Sequence, residues 1–507
     1  MSEQRPPVEF TLRNRIGFWL GLALFFLFLF LDPDPERPAL GRMLAVTLLM
    51  ATWWITEAVP IPVTALLPVP LFPLLGIEAS KDVAPNYMNS SIFLFMGGFI
   101  LALAIEKWGL HRRIALNVLR VIGVKPRLLV LGFMIATAFL SMWISNTATA
   151  MLMLPIGLSV INRLGPELED PKRSDRFALV LMISIAYAAS IGGTATLIGT
   201  PPNLAFTRIF AISYPDAPEI SFSIWFAMAF PLAAVFLVTA WALLTRVIFP
   251  VGGGAMGGVR SELSRERREL GPMEREEKSV LVVFVLTALL WIFRADIPLG
   301  GTVLRGWASR LGVTGVDDAT VAMSAAVVLF LIPARRGAGR LMDWTTARRL
   351  PWGILILFGG GFALASGFQA SELTEWLGRR FLGLEGTSPH ILVLATSTLL
   401  TFLTEVTSNT ATTQIILPIL ASASATLRVH PLLLMIPATL SASCAFMLPV
   451  ATPPNAIVFG SRRVPIQAMV KAGIVMNLAG IVLIFLTVTL LGAFLFGITA
   501  GAPPEWA

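Results

Sequence analysis

The chain has 507 residues, of which 56% are hydrophobic and only 13% are charged, and its mean hydropathy is +0.78. This composition excludes a soluble globular domain, and the repeated apolar runs indicate an all-α polytopic membrane protein. The formal net charge of +8 does not indicate nucleic-acid binding, because most basic residues fall in short loops between apolar runs. The single cysteine, Cys444, excludes an intrachain disulfide and a cysteine-based metal cluster.

The first apolar run, 16–31, predicts a retained transmembrane helix, because Asp32-Pro33-Asp34 is a poor signal-peptide cleavage site. A basic amphipathic stretch at 111–127 is typical of a helix on the membrane surface. The remaining apolar segments predicted in the first half are 41–58, 61–76, 91–107, 128–162, 178–212 and 222–249.

The segment 250–278 is rich in Gly, Arg and Glu, which predicts a cytoplasmic linker between two halves. Beyond it the apolar segments are 279–297, 319–334, 352–369, 389–426, 431–463 and 471–498, with an amphipathic stretch at 371–383. The predicted domains are an N-terminal segment with the first helix at 1–40, a first repeat at 41–249, the linker, and a second repeat at 279–507.

Two long apolar blocks, 128–162 and 389–426, each carry a Ser-Asn-Thr triplet at the centre. Basic residues on both flanks of the first block place both of its ends in the cytoplasm, which a re-entrant hairpin or two full crossings would satisfy. The triplet favours a hairpin, because it suits a helix break inside the protein, with Ser or Asn capping the next helix. Two such hairpins leave about eleven transmembrane helices, with the N-terminus cytoplasmic and the C-terminus extracytoplasmic.

The two halves match each other in register. A shift of 263 positions places Gly97-Gly98-Phe99 on Gly360-Gly361-Phe362 and Ser145-Asn146-Thr147 on Ser408-Asn409-Thr410. A shift of 252 then places 199–203 on 451–455, so that each half contains a Thr-Pro-Pro-Asn stretch. An odd number of crossings in each half predicts an inverted repeat, which is typical of secondary transporters with a binding site at the bilayer midplane.

The two Thr-Pro-Pro-Asn stretches predict helix breaks, because proline removes a backbone donor and clashes with the preceding turn. Carbonyls freed at a break suit a monovalent cation, and the N–H groups of a helix N-terminus suit an anion. No Lys or Arg lies within these motifs, so helix dipoles and bound cations would neutralise the anion. Glu405 is the one acidic motif residue, and Met142 replaces it in the other half, which favours Na⁺ over H⁺ as the coupling ion. Both Glu405 and Glu57 are interpreted as structural carboxylates.

These motifs, and the run from Thr404 to Thr410 in particular, resemble the divalent-anion:sodium symporter family of di- and tricarboxylate carriers over about 40–498. The resemblance implies a homodimer that works as an elevator. Its scaffold would lie mainly at 16–110 and 279–370, and its transport part mainly at 128–249 and 389–498.

The resemblance also implies two Na⁺ sites and one substrate site. The first Na⁺ site would comprise Ser141, Ser145, Asn146 and Gly199, with Gly192 and Gly193 as alternatives to that glycine. The second would comprise Thr404, Thr407, Asn409 and Ala451. The substrate would contact Ser145, Asn146, Thr147, Thr200, Pro201, Ser408, Asn409, Thr410, Thr452 and Pro453.

The predicted function is Na⁺-coupled import of a dicarboxylate such as succinate, malate or fumarate across the inner membrane, without an organic cofactor. The alternatives within the fold are a sodium-independent dicarboxylate antiporter and a sulfate or citrate carrier. An anion channel is the alternative from another class, but it would need a continuous polar stripe along several spans. An enzyme is not expected, because neither a nucleophile–base pair nor a nucleotide-binding loop is evident.

Overall fold

The computed structural model describes residues 11–31, 34, 36–123, 125–164, 171–252, 264–299, 302–313, 315–335, 339–498 and 503–507. This part of the chain is mostly helical, and its one sheet is an antiparallel hairpin of β1 (Ile297–Leu299) and β2 (Thr302–Leu304). Residues 1–10 of the predicted N-terminal segment and 253–263 of the predicted linker lie outside the described residues.

The helices of the first half follow the predicted segments closely. The segment 61–76 is an exception and forms two short helices, the second of which begins at Pro68, since proline favours the first position of a helix. They are α1 (Leu12–Phe30), α2 (Pro38–Thr56), α3 (Ile61–Thr64), α4 (Pro68–Leu75), α5 (Ser80–Val83), α6 (Ser90–Lys107), α7 (Leu110–Ile122), α8 (Pro126–Ser141), α9 (Asn146–Leu164), α10 (Pro171–Gly193), α11 (Pro201–Ser213) and α12 (Phe222–Ala242). A 3₁₀ turn (Ala84–Tyr87) precedes α6, and a π-helical turn (Leu243–Ile248) follows α12.

The second half has the same order of long, broken and amphipathic helices. They are α13 (Arg275–Ile292), α14 (Trp307–Leu311), α15 (Asp318–Leu331), α16 (Trp344–Ala347), α17 (Trp352–Ala370), α18 (Leu373–Gly378), α19 (Pro389–Leu403), α20 (Asn409–Thr426), α21 (Leu432–Ser441), α22 (Pro453–Gly460), α23 (Ile466–Thr487) and α24 (Ala493–Phe496). A 3₁₀ segment (Arg379–Leu384) follows α18, and a π-helical turn (Val488–Gly492) precedes α24.

Seven of the described helices are long and apolar enough to cross a bilayer, or eight if the bent pair Leu373–Leu384 and Pro389–Leu403 is one span. Several other apolar helices, such as α8 and α15, are shorter than a full span. A bundle with this many apolar helices is a multi-pass membrane protein. The count of eleven spans stays a prediction, because each part of a broken helix is too short to cross the bilayer on its own.

Close helix contacts join the two halves. A Cβ placed on Gly97 of α6 would lie 2.6 Å from the backbone carbon of Ala322 in α15, so only glycine permits this approach. The described part of the linker is also held in place, because Arg113 of α7 pairs with Glu277 at 2.9 Å and donates to the carbonyl of Gly271. The linker therefore packs against the amphipathic helix α7.

Candidate substrate and cation site

Both Ser-Asn-Thr triplets lie where a helix breaks, as the sequence predicts. The first break separates α8 from α9, and the Ser145 hydroxyl accepts a hydrogen bond from the N–H of Ala148 at 3.3 Å. In the second, between α19 and α20, the Ser408 hydroxyl accepts from the N–H of Ala411 at 3.5 Å. Each serine thus satisfies an N–H group that the first turn of a helix leaves unpaired.

Both Thr-Pro-Pro-Asn stretches also follow a break, and α11 and α22 begin at their first prolines. The amide of Asn203 donates to the carbonyls of Thr194 at 3.1 Å and Thr196 at 2.8 Å. Asn455 donates to Ala445 and Leu448 at 3.1 and 3.0 Å. These two buried amides satisfy carbonyls that the interrupted helices leave free, so each break has a defined shape.

The four helices that begin at these breaks are α9, α11, α20 and α22, and the first turns of all four line one cavity of about 530 Å³. Its lining contains nearly every residue predicted for the site: Ser145, Asn146, Thr147, Gly199, Thr200, Pro201, Thr407, Ser408, Asn409, Thr410, Ala451, Thr452 and Pro453. Each helix N-terminus carries about half a positive charge and unpaired N–H groups. The cavity therefore suits an anion without a lysine or arginine inside either motif.

Two predicted residues, Ser141 and Thr404, do not line the cavity and lie fully buried behind it. The Ser141 hydroxyl oxygen is 2.5 Å from Asn146 Oδ1 and 2.7 Å from the carbonyl oxygen of Ala189. A hydroxyl has one proton and can donate to only one of two acceptors. This surplus of oxygen acceptors suits a hard monovalent cation.

The second repeat has the same arrangement. The Thr404 hydroxyl oxygen is 2.6 Å from Asn409 Oδ1 and 3.0 Å from the carbonyl oxygen of Ala442. Thr407 is oriented elsewhere, because its hydroxyl contacts the Leu403 carbonyl and the Thr412 hydroxyl. Both asparagines are half-buried, so each amide lies between a buried oxygen cluster and the cavity.

One of the three alternative glycines, Gly193, lies beside Asn146. A Cβ on Gly193 would be 2.5 Å from Asn146 Oδ1 and 3.1 Å from the carbonyl oxygen of Gly199. A Cβ on Gly192 would instead meet the backbone of Ala138 in α8. Gly193 therefore borders the first oxygen cluster and Gly199 packs against Gly193, whereas Gly192 permits close helix packing.

The carboxylate of Glu405 stabilises the second break. Its oxygens accept hydrogen bonds from three successive N–H groups, those of Phe446, Met447 and Leu448, and from the amide of Asn477 at 2.8 Å. Its acceptor positions are thus occupied, which agrees with the structural role that the sequence suggested.

Other residues on the wall of the cavity were missed by the sequence reasoning. Phe95, Phe99 and Ile354 provide an apolar surface, and Arg13 and Glu57 are the charged residues of the described lining. The one sequence signal for this surface was the Gly97-Gly98-Phe99 match between the halves, which includes Phe99. Glu57, which was interpreted as structural, directly follows α2 and lies on the wall of the cavity.

An apolar bundle in which the first turns of broken helices line one cavity defines the class of multi-pass membrane transporters. Within this class the chain belongs to the family described as the sodium:sulfate symporter transmembrane region, whose model matches residues 17–498. Members of this family are transporters and not enzymes.

Whole-chain relatives agree with this assignment, and two solved structures share the fold. The chain is 43% identical to the sodium-dependent dicarboxylate transporter SdcS of Staphylococcus saprophyticus, over 99% of this chain and 96% of the relative. SdcS of Staphylococcus aureus gives the same identity and coverage. MtrF of Neisseria gonorrhoeae, from a class of antimetabolite efflux pumps, has a similar fold (TM-score 0.58, 11% identity, 97% of this chain and 99% of that chain). So does the transporter YdaH of Alcanivorax borkumensis (TM-score 0.55, 14% identity, 89% and 98%).

Proposed function

We propose that this protein is a Na⁺-coupled symporter of dicarboxylates such as succinate, malate and fumarate. The observation that carries the proposal is the convergence of four helix N-termini on one cavity, with an oxygen cluster behind each Ser-Asn-Thr triplet. The SdcS relatives support it, because they are named as sodium-dependent dicarboxylate transporters and match nearly the whole chain.

In this proposal each oxygen cluster binds one Na⁺. The first cation lies among Ser141, Asn146 and the carbonyls near Gly193 and Gly199, and the second among Thr404, Asn409 and the break near Ala451. A bound cation orders each hairpin tip and adds positive charge beside the cavity. Cation binding therefore precedes and strengthens anion binding, which couples the two.

A dicarboxylate matches the cavity because its two carboxylates are separated by a short carbon chain. One carboxylate would accept hydrogen bonds at Asn146 and Thr147, and the other at Asn409 and Thr410. The apolar surface of Phe95 and Ile354 would lie along the carbon chain.

Transport would follow an elevator motion of the part at 128–249 and 389–498 against the scaffold at 16–110 and 279–370, within a homodimer. The N-terminus would be cytoplasmic and the C-terminus extracytoplasmic. The likeness between the two repeats supports this, because inverted repeats can exchange conformations and open one site alternately to each side.

Uptake of radiolabelled succinate into proteoliposomes tests the proposed function. An inward Na⁺ gradient should drive accumulation, and an inside-negative potential should increase it if net positive charge enters. Unlabelled malate and fumarate should compete, and sulfate should compete far less. Equal uptake with choline in place of Na⁺, but dependent on internal dicarboxylate, would identify an antiporter instead.

A further inference from the structure

The cavity has one basic side chain among its described lining residues, and it comes from outside both motifs. Arg13 lies in the first turn of α1, at the mouth of the cavity, and Glu57 is the lining residue of opposite charge. The proposed cytoplasmic N-terminus would make this the cytoplasmic mouth. An anion that leaves the site toward the cytoplasm would pass both charges.

The position of Arg13 is set by the end of α2. Its guanidinium donates to the carbonyl of Ile55, and the amide of neighbouring Asn14 donates to the carbonyls of Thr56 and Glu57 at 3.1 and 2.9 Å. These are carbonyls that the end of a helix leaves unpaired, and a positive charge is favourable there. This role alone would make Arg13 a helix cap.

A second contact goes beyond capping. The same guanidinium nitrogen lies 3.4 Å from the carbonyl oxygen of Val406, which belongs to the tip of the second hairpin. Val406 directly precedes Thr407 and lies three residues before Asn409, where the anion is proposed to bind. Arg13 thus bridges the predicted scaffold and a tip of the predicted transport part.

We propose that Arg13 is a specificity-determining residue that recognises the dianion by its charge at the mouth of the cavity. The guanidinium has five N–H donors, so it can hold the Ile55 carbonyl and still turn a free N–H toward a carboxylate. Because the four helix N-termini are neutral groups with partial charges, Arg13 supplies the full positive side-chain charge in this lining. Glu57 opposes it and limits how tightly the anion is held.

The inference rests on the proposed transport function, and Arg13→Gln tests it in membrane vesicles of both orientations. In inside-out vesicles, where the cytoplasmic face takes up substrate, the KM for succinate should rise about tenfold, and in right-side-out vesicles it should change far less. The Na⁺ concentration for half-maximal uptake should stay unchanged. High salt should reduce the difference in KM between Arg13→Gln and wild type, because ions screen exposed charges.

Three further variants separate charge recognition from folding. Arg13→Lys keeps the charge and should stay within about threefold of the wild-type KM, and Glu57→Gln should lower the KM. Arg15→Gln is the matched control, since Arg15 is exposed on the same helix and does not line the cavity.

The outcomes are distinct. If Arg13→Gln retains the wild-type KM on both faces, or if Arg13→Lys behaves as Arg13→Gln does, the inference is overturned while the transport function stands. If the wild type shows no Na⁺-driven dicarboxylate uptake, the proposed function fails and the role of Arg13 fails with it.

Discussion

The two repeats share the hydrogen bonds around their Ser-Asn-Thr triplets, but different groups stabilise the helix breaks beside them. In each, a buried hydroxyl, Ser141 or Thr404, contacts the amide oxygen of the asparagine five residues later and a backbone carbonyl of the neighbouring broken helix. In each, a second asparagine, Asn203 or Asn455, donates to carbonyls of the unwound segment. These shared contacts are the ones that the proposed function needs.

The contacts between hairpin and break differ. In the second repeat the Glu405 carboxylate accepts from three backbone N–H groups. In the first, Met142 occupies the equivalent position, and the Thr196 hydroxyl donates to its carbonyl at 2.5 Å. The first break instead has Gly193 against Asn146 and Gly199 against Gly193, and the residue that matches Gly199 in the second break is Ala451. Duplicated sites can therefore keep the residues proposed to bind ligands while the residues that stabilise the helix breaks change.

The largest effect is expected where the repeats agree. Asn146→Ala and Asn409→Ala should each lower Na⁺-driven succinate uptake about 100-fold, because each removes an amide that the proposal assigns to both the cation and the anion, a loss of roughly 3 kcal/mol. Uptake into proteoliposomes measures this. Asn117→Ala on the exposed side of α7 is the control and should transport normally. A large loss in only one of the two variants would show that the repeats do not contribute equally.

A smaller effect is expected where the glycines differ. Gly193→Ala would place a methyl group 2.5 Å from Asn146 Oδ1, and the Na⁺ concentration for half-maximal uptake should rise about tenfold from overpacking. Ala451→Gly in the second repeat should change it less than about twofold, because removal of one methyl group creates little strain. Gly460→Ala is the control, since nothing lies within 4 Å of its added Cβ. An unchanged Na⁺ dependence in Gly193→Ala would exclude this glycine from the cation site.

The supports should differ in their contribution to stability. Glu405→Gln should lower the free energy of unfolding by about 3 kcal/mol, because an amide NH₂ would face backbone N–H groups that the carboxylate satisfied. Thr196→Val removes two neutral hydrogen bonds, one to the Met142 carbonyl at 2.5 Å and one from the Gly199 N–H at 3.0 Å, and should cost about 2 kcal/mol. Thermal unfolding of the purified protein in detergent shows which variant loses more stability, with Met142→Leu as the control. If both variants unfold at the same temperature, the carboxylate contributes no more than the hydroxyl.

The smallest effect concerns a surface pair that joins the repeats away from the site. The hydrogen bond from Lys107 at 2.6 Å, with those from Thr346, lowers the pKa of Asp343 from 3.8 to about 2. A lowered pKa stabilises the folded state above the ordinary pKa, and this contribution disappears as the pH falls from about 4 to about 2. Because the pair is partly exposed, Asp343→Asn should cost about 0.2–1 kcal/mol at neutral pH.

Thermal unfolding at pH 7 and again near pH 3 measures this contribution. The difference between Asp343→Asn and wild type should shrink at the lower pH. A difference that grows on acidification would contradict the sign of the pKa change.

Short-range patterns in the sequence were enough to predict the membrane class, the order of the segments, the internal match and the positions of the helix breaks. Hydrophobicity, proline and capping residues act locally, and each can be recognised in a short stretch such as Ser408 to Thr410 or Thr452 to Asn455. The family resemblance depended on the same short motifs. The internal match also predicted that the Ser-Asn-Thr and Thr-Pro-Pro-Asn motifs of both halves would line one site.

The distant groups that line the cavity could be identified from the fold alone. Arg13 and Val406 are 393 residues apart in the chain, and a long-range contact of this kind leaves no local pattern. What each glycine packs against also required the fold, because Gly192 and Gly193 are neighbours in sequence but face α8 and Asn146 respectively. Local chemistry places each break in the chain, whereas the packing of the two repeats determines what surrounds the anion.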